Sequence, residues 1–290
     1  MGLIEKAGGA IDAELDAGVL PEEGAASAAS IFDIDFQSMA AQGFYNPGDR
    51  SSRLSLELRA IKRGLLRKTG FRNAGGANRM LRKGSRSRNL ILVTSTRPGE
   101  GKTFCAINLA LSLACEEKID VLLVDADAPR PKVRAHFGLP KGPGLTDRLI
   151  DPSIPVSNLT MRARQAPLSI LSEGTPVARP ADLFSTPDAQ RLFTELSLRR
   201  SQRLIIIDAP PVLATSEAAV LARHADEIVF VVEADSTPEA GVAAALDEIL
   251  EANPNVSLVL NRCLIGEGGS YYGSYGDYDP ETPPRDGVTN

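Results

Sequence analysis

Between Asn89 and Cys263 the chain alternates two patterns of apolar residues. Unbroken apolar runs, LILV in 90–93, VLLV in 121–124, LSIL in 168–171, LIII in 204–207, IVFVV in 228–232 and VSLVL in 256–260, have the length and β-branched content of strands buried on both faces. Longer stretches between them, KTFCAINLALSLACEE, ADLFSTPDAQRLFTELSLR and PEAGVAAALDEILEA, carry apolar residues at the spacing of a helix with one buried side. Strands alternating with helices predict an α/β fold, a mostly parallel sheet with helices on both faces.

The flanks read differently. Residues 1–50 mix an acidic, alanine-rich start with short apolar pieces, and GLIEKAGGAIDAEL predicts one weakly amphipathic helix. Glycines and other small residues argue against a packed unit, so this stretch is expected to be a flexible or partner-dependent arm. In 51–88, twelve Lys and Arg face one acid, Glu57. The first half of that segment sets Leu54, Leu58, Ile61 and Leu65 on one helical face, which should pack while the charges stay in water. Its second half, TGFRNAGGANRMLRKGSRSR, reads as a Gly/Arg/Ser loop. The charge is either a solvated face or one drawn to an anionic membrane surface or an acidic partner. Residues 89–265 are the expected catalytic domain and 266–290 a disordered, tyrosine-rich tail.

Composition narrows the chemistry. A chain of 290 residues can bury one large α/β core with extensions, and its hydrophobic fraction of 43% is ordinary for a soluble protein. No apolar run approaches the roughly 18 residues that cross a bilayer, and no signal-peptide pattern precedes the domain, so a cytoplasmic location is expected. Lys6 stands where an N-myristoylation motif needs Ser or Thr. Cys105, Cys115 and Cys263 lack metal-ligand spacing, and the first two fall on a helix expected to be buried, as reduced core thiols. The only histidines, His136 and His224, cannot supply a His-based metal site or triad. Chemistry therefore has to come from carboxylates and Mg²⁺.

The stretch NLILVTSTRPGEGKT reads as strand, phosphate loop and helix start. Gly99 and Gly101 let the backbone curl so that successive N–H groups point at phosphate oxygens, with Arg97, Pro98 and Glu100 completing the loop. Lys102 supplies a cation for the β and γ phosphates, Thr103 a hydroxyl for Mg²⁺, and Phe104 continues the helix whose positive end faces the same anion. The loop departs from the strict pattern in one place, with Thr96 where glycine is usual. Asp125 and Asp127 follow one strand and Asp208 ends another, and strand ends are where a parallel sheet meets its ligands. Mg²⁺ takes one or two carboxylates together with phosphate oxygens and water, so these acids suit it. Four of the five tyrosines, Tyr271, Tyr272, Tyr275 and Tyr278, crowd into the stretch GEGGSYYGSYGDYDPETPP. Gly and Ser between them preclude a packed element, so the rings are expected in solvent, as a stacking surface, a sticky linker or phosphoryl acceptors on a tether.

These stretches, in this order and spacing, resemble a known family, the bacterial tyrosine kinases that regulate polysaccharide synthesis and export. STRPGEGKT resembles their Walker A loop, LLVDADAPRP their Walker A′ motif, LIIIDAPPVL their Walker B, and the tyrosines their autophosphorylation cluster, over about Leu54 to Tyr278. MGLIEKA, LRAIKRGLL and SYYGSYG look like the stand-alone tyrosine autokinases of exosortase (PEP-CTERM) exopolysaccharide loci. The resemblance implies a P-loop NTPase fold and ATP with Mg²⁺. Lys102 would bind the phosphates, Thr103, Asp127 and Asp208 would hold the metal directly or through water, and Asp125 would act as base. Asn261, with Arg262 beside it in VLNR, falls where adenine is contacted. It further implies ring-like homo-oligomers phosphorylating one another's tails, a separately encoded membrane co-polymerase as activator that recruits the chain to the inner membrane, a cognate tyrosine phosphatase, and no nucleic-acid partner. Two departures stand out. The family's Glu-x-x-Arg-x-x-Arg interface pattern is met by Leu56, Arg59 and Lys62, without its glutamate, and Arg-Arg-Pro in Walker A′ is Pro129-Arg130-Pro131. The competing readings are a partition or septum-site ATPase, whose second loop lysine is Arg97 here, and a non-catalytic nucleotide-gated adaptor.

Overall fold

The computed structural model describes residues 30–69, 88–198 and 202–263. In chain order its elements are β1 (Ser30–Phe32), α1 (Phe36–Ala41), α2 (Arg53–Lys68), β2 (Leu90–Ser95), α3 (Lys102–Leu113), β3 (Asp120–Asp125) and α4 (Val133–His136). There follow α5 (Leu145–Ile150), β4 (Thr160–Ala163), β5 (Leu168–Leu171), α6 (Pro180–Phe184), α7 (Pro187–Leu198), β6 (Arg203–Asp208), α8 (Glu217–Ala222), β7 (Glu227–Glu233), α9 (Glu239–Ala252) and β8 (Val256–Asn261).

Eight strands form one sheet in the order β1-β4-β5-β3-β6-β2-β7-β8. From β5 to β8 all neighbours are parallel, while β4 is antiparallel to β5 and β1 runs with β4. The parallel block is what unbroken apolar runs specify, because each strand must meet helices on two sides. Alternate residues divide between two cores: Ile91, Val93, Val121 and Leu123 pack with α2 and α3, whereas Leu90, Leu92, Leu122 and Val124 pack against Leu192, Phe193, Leu221 and Ile249 of α7, α8 and α9. The stretch 181–199, expected as one helix, is two, since Pro187 opens α7 immediately after α6.

Residues 30–50, grouped above with an arm, belong to the folded body. β1 extends the sheet edge, and Phe32, Ile34, Met39, Phe44 and Tyr45 are buried in the core beside α3. The Tyr45 N–H donates to Asn108 Oδ1 at 2.6 Å. On α2, Leu58 and Leu65 are buried with Leu54 and Ile61 packed alongside, as the helical spacing predicts. Its charges do not all stay in water. Lys62 is 7% exposed and donates to the Ser112 carbonyl at 3.0 Å and to Glu116, while Lys68 bonds Glu227 and Ser257. Cys115 is also displaced from expectation: α3 stops at Leu113, so this thiol is exposed, and Cys105 and Cys263 are half-buried. The Gly/Arg/Ser loop, residues 1–29 and the tyrosine tail lie outside the described residues. No described helix is long and apolar enough to cross a membrane.

Candidate active site

β2, β6 and β3 lie side by side, with Val93 opposite Asp208 and Asp208 opposite Asp125. That register lines up the phosphate loop, the Walker B-like aspartate and the first Walker A′-like aspartate at one end of the sheet. Gly99 and Gly101 have φ of 96° and 94°, backbone that glycine adopts without strain. A Cβ on Gly101 would stand 2.1 Å from Asn261 Nδ2, so this cradle is built for a residue without a side chain. The first-turn N–H groups of Lys102, Thr103 and Phe104 have no helical carbonyl to bond and carry the positive end of α3.

Lys102 is 8% exposed, ion-paired with Asp127, 3.8 Å from Asp208 Oδ1 and 3.3 Å from the Thr103 hydroxyl. Burial pulls its ammonium down, but Asp208, Asp127 and Asp125 more than offset this and hold it above the ordinary lysine value. Asp208 is fully buried, and neither carboxylate oxygen has a hydrogen-bond partner. Desolvation pushes it up to about 6, against the pull of Lys102 and the Thr103 hydroxyl. Asp125 is better satisfied, accepting from the backbone N–H of Asp127, Lys132 and Val133 at 3.2, 3.1 and 3.0 Å. Burial and the neighbouring Asp208 nevertheless raise it well above the usual carboxylate range.

The residues present fit a magnesium nucleotide. Asp208 oxygens without a hydrogen-bond donor, beside the Thr103 hydroxyl, are oxygen donors suited to a hard cation that also takes phosphate oxygens, and Lys102 is placed to meet the phosphate charge. Among the described residues no group of three or more His, Cys, Asp or Glu side chains is arranged to hold a metal.

The remaining predicted residues sit around this centre. Glu100, 1% exposed, accepts from the Arg97 N–H at 3.0 Å and from the Thr237 hydroxyl, and the Arg97 guanidinium donates to the Ser236 carbonyl at 3.1 Å. Asn261 Nδ2 donates to the Glu100 carbonyl at 2.8 Å. Arg262, at φ 58°, pairs instead with Glu233, and the Phe104 ring turns to Phe44 at 5.2 Å. Pro98 is exposed at the loop tip. Sequence reading missed Ser236 and Thr237, which clasp the loop from the β7–α9 turn, and the Arg134–Glu173 pair beside Asp125. The partners of the clasp are well over a hundred residues apart, and nothing local marks them.

No family model matches the chain. The tyrosine-protein kinase YwqD of Bacillus subtilis (strain 168) is 31% identical over 188 residues, covering 65% of this chain and 76% of that protein. The tyrosine-protein kinase ptk of Acinetobacter johnsonii is 32% identical over 136 residues, or 47% of this chain and 18% of a longer protein. The chain thus spans three quarters of one relative and under a fifth of the other. Among solved structures, the BceF tyrosine kinase domain matches with a TM-score of 0.60 at 25% identity, covering 80% of this chain and 91% of that one.

Proposed function

The chain belongs to the bacterial tyrosine kinase family, and from that premise we propose that it moves the γ-phosphoryl group of Mg-ATP to its own C-terminal tyrosines, Tyr271, Tyr272, Tyr275 and Tyr278, which lie outside the described residues. The observation that carries this reading is the convergence of Lys102 on Asp127 and Asp208 at the end of a glycine loop.

In this proposal the loop N–H groups from Gly99 to Phe104 and the Lys102 ammonium bind the phosphates. Lys102, paired with Asp127 here, would also meet the phosphate oxygens, and Thr103, Asp127 and Asp208 would hold the metal directly or through water. Bound Mg²⁺ would neutralise charge on the β and γ phosphates. A bond forms between the tyrosine oxygen and Pγ, the bond from Pγ to the bridging oxygen breaks, and the phenolic proton passes to Asp125. Because such transfer is loose, positioning and charge neutralisation supply most of the acceleration. Asn261 and Arg262 form the wall toward the base.

We extend the proposal to transfer between copies, a role in exopolysaccharide synthesis or export, a separately encoded membrane activator that holds the chain at the inner membrane, and reversal by a tyrosine phosphatase. The family's ring-contact pattern is incomplete here. Leu56 is 52% exposed where the glutamate would stand, and Lys62 is committed inward to Ser112 and Glu116. The partition-ATPase reading is disfavoured by Arg97, which stands where such proteins carry a second loop lysine, and by the tyrosine cluster, for which they have no use.

The test is incubation of the purified chain with Mg-ATP and mass spectrometry of the 266–290 peptide. Phosphotyrosine that disappears in Lys102→Met is the expected result. ATP turnover without phosphotyrosine, even with the membrane activator present, would overturn the reading.

A further inference from the structure

The stretch from Glu267 to Glu281 contains Glu267, Asp277, Asp279 and Glu281 and no Lys or Arg. β8, after which it follows, runs parallel to β7 and ends at Asn261, on the end of the sheet that carries Lys102 and Asp125. At that same end the exposed surface beside the catalytic acids is cationic. Arg130 and Lys132 project from the loop between β3 and α4, whose backbone is pinned to Asp127 and Asp125. Lys141 is exposed in the loop leading to Gly144, which packs against Ser172 and Gly174 at the end of β5.

The acids nearby are already engaged. Glu173 is paired with Arg134, and Asp147 accepts from the N–H groups of Gly144 and Thr175 and from the Thr175 hydroxyl. Arg130, Lys132 and Lys141 have no acidic partner among the described residues, where the ion pairs of this region are Lys102–Asp127, Lys102–Asp208 and Arg134–Glu173. Arg130 and Lys132 thus flank Asp127 and Asp125, whose own charge is buried, and Lys141 is exposed in the loop that reaches the end of β5, the strand beside β3.

We propose that Arg130, Lys132 and Lys141 form an acceptor-docking rim that recruits the acidic tyrosine segment Glu267 to Glu281 by charge complementarity. This rests on the kinase reading for its purpose but not for its binding chemistry. The rim selects tyrosines flanked by Asp and Glu and orients them beside Asp125, and its attraction is long-ranged and weakened by salt.

The experiment uses the full chain and two fluorescent peptides of residues 267–282, one native and one with Glu267, Asp277, Asp279 and Glu281 changed to Gln or Asn. Fluorescence anisotropy should give about tenfold tighter binding of the native peptide at low salt, collapsing as salt rises. In a chain carrying Arg130→Glu, Lys132→Glu and Lys141→Glu the preference should vanish, and in peptide phosphorylation it should surface mainly as KM. Equal binding of both peptides by the unaltered chain, a result independent of whether the variant folds, overturns the proposal. So does tighter binding of a peptide of residues 1–29, which is also acidic. Native peptide that binds as expected but is never phosphorylated upholds the rim and refutes the kinase reading. Phosphorylation indifferent to the acids does the reverse.

Discussion

Asp208 and Gly101 are the two residues on which the site turns. Asp208 is fully buried, and desolvation outweighs the pull of Lys102 and Thr103 to raise it to about 6 in the folded chain. A raised carboxylate contributes stability below its unfolded value of 3.8 and loses that contribution as pH rises through about 6. In buffer free of metal and nucleotide, Asp208→Asn should therefore gain on the parent chain between about pH 4 and pH 7, by on the order of 2–3 kcal/mol in urea unfolding. A gap that stays flat with pH would show that burial does not raise this group. Gly101 tests the cradle. Gly101→Ala forces a Cβ to 2.1 Å from Asn261 Nδ2 in addition to backbone strain, whereas Gly99→Ala, at similar φ, meets open space. Both should lose about 1–2 kcal/mol of stability to strain, but Gly101→Ala should cost more and weaken nucleotide binding as Asn261 leaves Glu100. Equal losses would mean that Asn261 simply moves aside.

At the scale of elements, α2 and the segment before it decide how the N-terminal part is held. α2 has no acid in its first turn but Arg67 and Lys68 in its last, where cations meet the negative end of the helix dipole favourably, and Ser52 caps its start. Its packing rests on Leu58 and Leu65, at 4% and 2% exposure. Leu65→Ala should cost about 2–5 kcal/mol in urea unfolding and Arg67→Ala within about 0.5 kcal/mol. Comparable losses at the two positions would argue that charge rather than burial holds the helix. Deletion of residues 1–50 removes β1 and uncovers Phe104, Asn108 and Phe137, so the melting temperature should drop and a hydrophobic dye should bind. A truncated chain as stable as its parent would return residues 30–50 to the status of an arm.

For the whole molecule, one sheet order brings the chemistry together. Strand β6, which ends in Asp208, lies between β2 and β3, so a segment more than a hundred residues downstream becomes the floor between phosphate loop and Asp125. Glu100 ties the loop to Thr237 and Asn261 ties it to the end of β8, so the site and the body of the sheet should unfold as one unit. Mg-ATP at a hundredfold excess over its Kd should then stabilise the global transition by about 2.7 kcal/mol. Lys102→Met should abolish that shift. Stabilisation confined to a partial transition would place the site in a separately folding part.

Local composition determined the parallel sheet, because unbroken apolar runs between amphipathic stretches allow few other ways to bury both strand faces. It also marked Lys102, Thr103, Asp125, Asp127 and Asp208, since glycines, a lysine and strand-terminal acids carry their chemistry in short spacings. Three things were decided only in three dimensions. Residues 30–50 have apolar positions too sparse to declare a core, and their partners on α3 lie some sixty residues away. Lys62 looks like any surface cation until Ser112 and Glu116 receive it. The clasp of Glu100 by Thr237 and Asn261, and the rim of Arg130, Lys132 and Lys141 at the same end, depend on strand order and parallel direction. Apolar periodicity records which face of an element is buried, but it carries no information on which distant side chain meets that face.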